Sequence, residues 1–344
     1  MSAAPAAAAP LAERLARADG DGAWRDEARA ALAGNRDELR ERFARGEPVE
    51  KLIDSRCTVA DALVRSAWSR TGLDATALGL VATGGYGRRE LYPHSDIDLL
   101  VLAETPAQKQ HAAALSNFFA LLWDAGLAAG HATRSLAECQ QAARDDITVL
   151  TALSEPRVLA GPVDLAALAE ALAASRIWPA DVYYAAKRAE QRTRHARFND
   201  TADNLEPNLK EGPGGLRDLH TVTWMGMRLY GVGGLRALVP LGVLGEDECA
   251  SLEREWKVLA RLRFGLHLIS RRKEERLLFD HQKALAALMG LEDKGTDDLA
   301  VEQMMQGFFR AAATVLRISD RLLQRFEEQL AGESAPVPVE PGFV

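Results

Sequence analysis

The sequence is poor in the residues that mark zinc-finger, secreted and membrane proteins. Its 344 residues include three cysteines, Cys57, Cys139 and Cys249, whose wide separation leaves no Cys-x-x-Cys pair for zinc or redox exchange. An odd, scattered set of thiols also argues against a disulfide framework and fits a reducing cytoplasm. No apolar run reaches the roughly 20 residues that a bilayer-spanning helix needs. The alanine-rich start, Met1 to Pro10, lacks the basic region that opens a secretory signal. Excess positive charge is missing too: 42 Lys and Arg face 49 Asp and Glu, a net charge of −7, which disfavours a general nucleic-acid binder and makes any anion site local. What remains is an ordinary soluble composition, 47% hydrophobic and 26% charged, with length enough for two or three domains.

Hydrophobic periodicity divides the chain into an α+β first half and a helical second half. Helices are expected from Trp24 to about Phe43 and through Val49, Leu52, Ile53, Ala60, Leu63, Val64 and Ala67. Short apolar runs at Leu78–Ala82 and Ile97–Leu102 read as strands around a turn-rich stretch, Thr83 to Ser95. Leu115, Phe118, Phe119 and Leu122 recur at helical spacing, and Gly126 is placed to stop that helix with a left-handed cap. A third strand is expected near Leu127–Thr133, followed by a helix opened by a capping box of Ser135 and Glu138. Beyond Val163 helical spacing dominates. The expected division is a disordered leader (1–20), an α/β domain with N-terminal helices (21–160), a helical domain (161–331) and an extended Pro/Gly-rich linker (332–344).

Chemistry concentrates in the segment from Gly84 to Asp98. Side chains two apart on a strand share a face, so Asp96 and Asp98 point together while Ile97 and Leu99 point away. Two carboxylates on one spot, beside the apolar run Leu99–Leu102, read as buried acids that need a cation between them. Magnesium takes oxygen ligands and completes its shell with water and substrate phosphates, so two aspartates suffice to anchor it. Gly84 and Gly85 lack Cβ atoms and allow close backbone approach to phosphate oxygens, with Arg88 and Ser95 as further donors. A glycine pair alone is a turn, and Asp-x-Asp alone is a solvated strand end; their combination points to metal-dependent phosphoryl chemistry on a nucleoside triphosphate.

A second glycine-rich approach, Gly212-Pro213-Gly214-Gly215, precedes an expected helix from Leu216, with Lys210 and Arg217 placed to reach phosphates at its N-terminus. Asp218 is the expected ion-pair partner of Arg217. Five basic residues between Tyr183 and Arg197 face a single acid, Glu190; such a run is a solvated face or a polyphosphate contact. His195 within it reads as a packed or surface residue rather than a catalytic base.

The glycine turn and Asp-x-Asp resemble the polymerase-beta-type nucleotidyltransferases. The segment Asn204-Leu205-Glu206-Pro207-Asn208-Leu209-Lys210-Glu211-Gly212-Pro213-Gly214-Gly215-Leu216-Arg217-Asp218-Leu219 resembles the signature of the bacterial PII uridylyltransferase family. Arg192 to Arg197 and Arg276-Leu277-Leu278-Phe279-Asp280-His281-Gln282 extend the similarity, from about Trp24 to about Leu330. The resemblance implies transfer of UMP from UTP to a tyrosine hydroxyl of the PII nitrogen-regulatory protein in the cytoplasm, with Mg2+ and without nucleic acid or membrane. It also implies HD and ACT domains further along a longer chain, with a natural short form as the alternative; no His-Asp pair of the HD kind occurs in these residues. Adenylyl transfer to glutamine synthetase or a small acceptor, and a non-catalytic nucleotide-binding module, are the alternatives. The chain departs from the pattern in two places. Gly130-His131-Ala132-Thr133-Arg134 has no third carboxylate, leaving Asp145, Asp146 and Asp218 as candidates, and Arg89 stands where the family often has glycine.

Overall fold

The computed structural model describes residues 10–173, 175–295 and 299–332. The chain forms two compact units. The first runs up to Ile177 and includes Phe264–Glu274 and Ala287–Gly290; the second comprises Trp178–Arg263, Glu275–Ala286 and Leu291 onward. The boundary thus falls after Ile177 rather than at the expected 160/161.

In the first unit the elements are α1 (Leu11–Arg17), α2 (Gly20–Ala44), α3 (Val49–Arg70), β1 (Gly79–Thr83), α4 (Gly84–Gly87), β2 (Ile97–Leu102), α5 (Thr105–Gln110), α6 (Ala112–Asp124), β3 (Ala129–Arg134), α7 (Leu136–Asp145), α8 (Ile147–Leu153), β4 (Arg157–Ala160) and α9 (Leu165–Ala171). Helix α9 packs against α7, which keeps the stretch after β4 with the first unit. The expected leader is helical from Leu11, and α1 buries Leu15 against its neighbours α2 and α3. Residues 1–9 of that leader and 333–344 of the expected linker lie outside the described residues.

The four strands form a mixed sheet in the order β3-β2-β1-β4. β1 is antiparallel to β2 and β4, while β2 and β3 are parallel, joined through α5 and α6. Register is set by Thr83 opposite Asp98 on one side and Gly130 opposite Asp98 on the other. Helices cover the sheet through an aromatic core: Trp68 of α3 meets Phe118 of α6 edge to face at 5.3 Å, a geometry worth about 0.5–1.5 kcal/mol beyond area burial. Phe43 stacks on Phe264 at 6.1 Å. Helix α6 ends where expected, with Gly126 at φ 91°, and both halves of the Ser135/Glu138 capping box are formed at the head of α7.

In the second unit are α10 (Ala180–Ala196), α11 (Leu216–Tyr230), α13 (Phe279–Leu288) up to Ala286, and α14 (Ala300–Leu330), together with the part of α12 (Glu246–Ser270) that precedes Phe264. Helix α14 places Met304, Phe308, Val315, Leu322 and Phe326 on one buried face, the 3.6-residue stripe of a bundle helix. Tyr184 of α10 donates its hydroxyl to the Leu323 carbonyl at 2.8 Å. Small mixed sheet with helices first, helical bundle second, is the α+β arrangement that the sequence predicts.

Candidate active site

Strand β1 is buried along its whole length and delivers the chain to Gly84, whose φ of 54° is costly for a residue with a Cβ. One helical turn follows, and Gly87 in it lies under the Glu155 carbonyl so closely that a Cβ would sit 1.9 Å from that oxygen. Gly87 is therefore fixed by packing. At Arg89 the backbone is again left-handed, φ 61°, which explains why glycine suits this position. The Arg89 guanidinium binds Asp54 at 2.6 Å and Asp61 at 3.1 Å. Asp61 also receives Arg157 through both terminal nitrogens (2.8 and 3.0 Å) and the Tyr86 hydroxyl at 2.7 Å. Burial, reinforced by the Asp61 carboxylate, pushes the Tyr86 phenol above its ordinary pKa. This bracing under the glycine turn was not legible beforehand, because its members come from α3, the turn and β4.

Asp96 precedes β2 and Asp98 is its second residue; both are exposed, which corrects the expectation of buried acids. Asp98 lies between two glycine backbones. A Cβ on Gly84 would be 3.5 Å from one carboxylate oxygen and a Cβ on Gly130 2.7 Å from the other. With no side chain on either glycine, both backbones come close to the carboxylate. Asp96, 45% exposed, pairs with Lys273, a residue 177 positions later. No local signal marks Lys273 beyond its place in a basic run, Arg271-Arg272-Lys273.

Asp96 and Asp98 offer hard carboxylate oxygens of the kind magnesium takes, and Asp96 is paired with the Lys273 ammonium. Among the described residues no group of three or more His, Cys, Asp or Glu forms a fuller cage. The three candidates for a third carboxylate are otherwise engaged. Asp145 accepts from Gln141 at 2.9 and 3.1 Å. Asp146 caps α8, accepting the Thr148 N–H and hydroxyl, both at 2.7 Å. Asp218, in the second unit, is fully buried and accepts from Arg194 (2.5 Å), His195 (3.0 Å), Gln191 (3.1 Å) and the Gly214 N–H (2.7 Å). Burial alone would raise its pKa, but His195 and Arg194 hold it below the usual carboxylate value.

The expected phosphate donors divide between the units. In the first, Arg88 is bound by Glu90 at 3.1 Å and by Glu155, which turns its guanidinium to holding the loop together. Ser95 accepts the Tyr92 N–H through its hydroxyl at 3.1 Å, closing the tight turn that leads into Asp96. In the second unit, Gly215 caps α11 as expected, and Gly214, at φ 73°, approaches the Ala312 backbone too closely for any Cβ. Arg217 pairs with Glu211 at 3.0 Å and lies over the Trp224 ring; it does not pair with Asp218, since adjacent helical residues do not face each other. Burial, with Arg217 and Arg263 nearby, lowers Lys210 to about 8. The basic stretch from Lys187 to Arg197 is split: Lys187 and Arg194 are 3% and 7% exposed, while Arg192 and Arg197 face solvent. His195 is largely buried against Asp218.

Residues 183–323 match the family model described as GlnD PII-uridylyltransferase. Over 325 residues, 94% of this chain, it is 54% identical to the bifunctional uridylyltransferase/uridylyl-removing enzyme of Xanthomonas campestris pv. campestris (strain 8004), of which it covers 37%. The enzyme of the same name from Xanthomonas oryzae pv. oryzae (strain MAFF 311018) is 53% identical over the same share. That of Stutzerimonas stutzeri (strain A1501) is 44% identical over 90% of this chain and 35% of its own length. The chain therefore spans a little over a third of these relatives. Residues 183–323 thus match the GlnD PII-uridylyltransferase family model, and most of the chain is similar to part of the bifunctional uridylyltransferase/uridylyl-removing enzymes.

Proposed function

We propose that this chain transfers UMP from UTP to a tyrosine hydroxyl of a PII-type signalling protein, releasing pyrophosphate, in the cytoplasm. The observation that carries the reading is the exposed pair of Asp96, just before β2, and Asp98, on it, with the Gly84 and Gly130 backbones close beside Asp98. The uridylyl group and the PII acceptor come from the names of the family and the relatives. No helix among the described residues is long and apolar enough to cross a membrane.

In the reaction a tyrosine oxygen attacks the α-phosphorus of UTP, a new P–O bond forms, the bond to the bridging oxygen breaks and pyrophosphate departs with that electron pair. The hydroxyl proton is lost to solvent or to a carboxylate. Magnesium held by Asp96 and Asp98 would neutralise charge building on the phosphate oxygens. Asp98, locked by ladder pairing to Thr83 and Gly130, fixes where that charge is offered. Lys273 balances Asp96 and stands as a second positive group beside the incoming phosphates. The glycine turn keeps side chains away from the triphosphate.

The test is pyrophosphate release by the purified chain with magnesium, a PII protein and each common nucleoside triphosphate in turn. Release with UTP alone, dependent on PII, is expected. Release with ATP and another acceptor would replace the reading by adenylyl transfer, and nucleotide binding without release by any triphosphate would make it a binding module. A longer chain with HD and ACT domains belongs to the same proposal; the uridylyl-removing activity in the relatives' name is assigned to no residue here.

A further inference from the structure

A cavity of about 220 Å³ opens within the first unit between α2, α3, the loop before Asp96 and the end of α6. Its polar lining is basic: Arg29 and Arg36 of α2 and Arg56 of α3, together with Asn35 and His94, and no carboxylate among the lining residues. Arg29 donates Nε to the Asp124 carbonyl at 2.8 Å. Arg36 has a distant, exposed contact with Asp37 at 3.9 Å. Arg56 is partly buried and pairs with no carboxylate among the described residues. Burial holds it below its ordinary pKa, and the like charge of Arg36 adds to that shift. One further group in the lining can donate to an anion: the buried Nε2 of His94 has no hydrogen-bond partner.

A partly buried guanidinium without an acid, beside a buried imidazole nitrogen without a partner, is destabilising unless an anion completes it, and the exposed Arg29 and Arg36 add donors at the mouth. Forked Arg donors match the oxygens of a phosphate, and several approaching from different helices suit a tetrahedral group better than a planar one. The volume is below the roughly 300–1,000 Å³ of pockets for drug-sized ligands, so a whole nucleoside triphosphate is too large. We infer that this cavity binds the phosphoryl group of a small molecule, as a site separate from Asp96 and Asp98. The inference does not rest on uridylyl transfer. Its consequence for the candidate active site runs through His94, whose backbone N–H is held by the His267 ring at 3.3 Å and which stands two residues before Asp96. A bound phosphate contacting His94 would stiffen the segment that presents the carboxylate.

The test is thermal melting and titration calorimetry in EDTA, with inorganic phosphate, sulfate and malonate as probes. Phosphate and sulfate are expected to raise the melting temperature of the wild type by about 2–4 °C near saturation, and malonate by less. Asp98→Asn should keep this rise, and Arg56→Met should lose it. In phosphate-free buffer Arg56→Met should melt no lower than wild type, since it removes an uncompensated charge. If Arg56→Met fails to fold or melts well below wild type without phosphate, the guanidinium is structural and the proposal is overturned. Arg36→Gln, at an exposed position, provides the independent check: phosphate affinity should fall about tenfold, and unchanged affinity overturns the assignment. The same holds if malonate alone raises the melting temperature, or if Asp98→Asn abolishes the response.

Discussion

Asp98 and Asp218 are both aspartates in glycine-rich surroundings, and the fold treats them in opposite ways. Asp218 sits at the start of α11 with a guanidinium, an imidazole, an amide and a backbone N–H around its two oxygens. Asp98 stands exposed on β2 with glycine on either side. A carboxylate encircled by protein donors has its charge neutralised before any ligand arrives, and it stabilises a loop. One kept at the surface beside bare backbone retains the capacity to hold a cation that substrate can share. Among arginines, Arg217 is held by Glu211 over Trp224, whereas Arg56 pairs with no carboxylate among the described residues.

The comparison breaks most visibly through activity. Asp96→Asn and Asp98→Asn are each expected to lower pyrophosphate release by at least about 10²–10³-fold, the scale of losing one preorganised charge-stabilising group. Their melting temperatures should stay close to wild type, and retained turnover in both would sink the metal assignment. Asp218→Ala should do the reverse. Leaving Arg194 and His195 buried without their partner is expected to cost about 3–5 kcal/mol in urea denaturation, so a stable variant would show that the cluster is not what holds the glycine loop.

Gly130→Ala tests the space around Asp98. The added Cβ would press on a carboxylate oxygen at 2.7 Å, and because the side chain can turn aside, stability should hardly change. A displaced ligand is nonetheless expected to reduce kcat by about 10²-fold, measured by initial rates at saturating UTP; unchanged kcat would mean that Asp98 works from another rotamer. The smallest effect concerns Lys210, lowered from 10.5 to about 8. Between those two values the unfolded chain binds the proton and the folded one does not, so this residue's contribution to stability rises with pH. Relative to Lys210→Met, the wild type should gain stability from about pH 8 to pH 10.5, read from urea midpoints, and a flat difference would contradict the burial of the ammonium.

Much of the fold was legible because its signals are local. The helical stripe from Val49 to Ala67, the stop at Gly126 and the Ser135/Glu138 box each depend on residues within a turn or two of one another. β4 was missed because Arg157–Ala160 is four residues long, too short for alternation to show. The acids at 96 and 98 were found by spacing, but their exposure was misread, since the apolar run Leu99–Leu102 reports on the middle of the strand and not on its beginning. Lys273, Arg157 and the donors around Asp218 come from distant parts of the chain, and periodicity carries no information about which distant side chains will meet. Arg217 and Asp218 could have been separated in advance, because neighbours in sequence diverge by about 100° around a helix.

Strand β2 is the second of four, so its hydrogen-bond ladders to β1 and β3 determine at once which of its residues enter the core and which meet solvent. Sliding β2 by one residue would turn Asp98 inward and expel Leu99. Chemical function and structural integrity are therefore read from a single alignment of backbones: an insertion or deletion within β2 cannot retune the carboxylates without dismantling the interior, and only changes at the strand's ends can vary one while sparing the other.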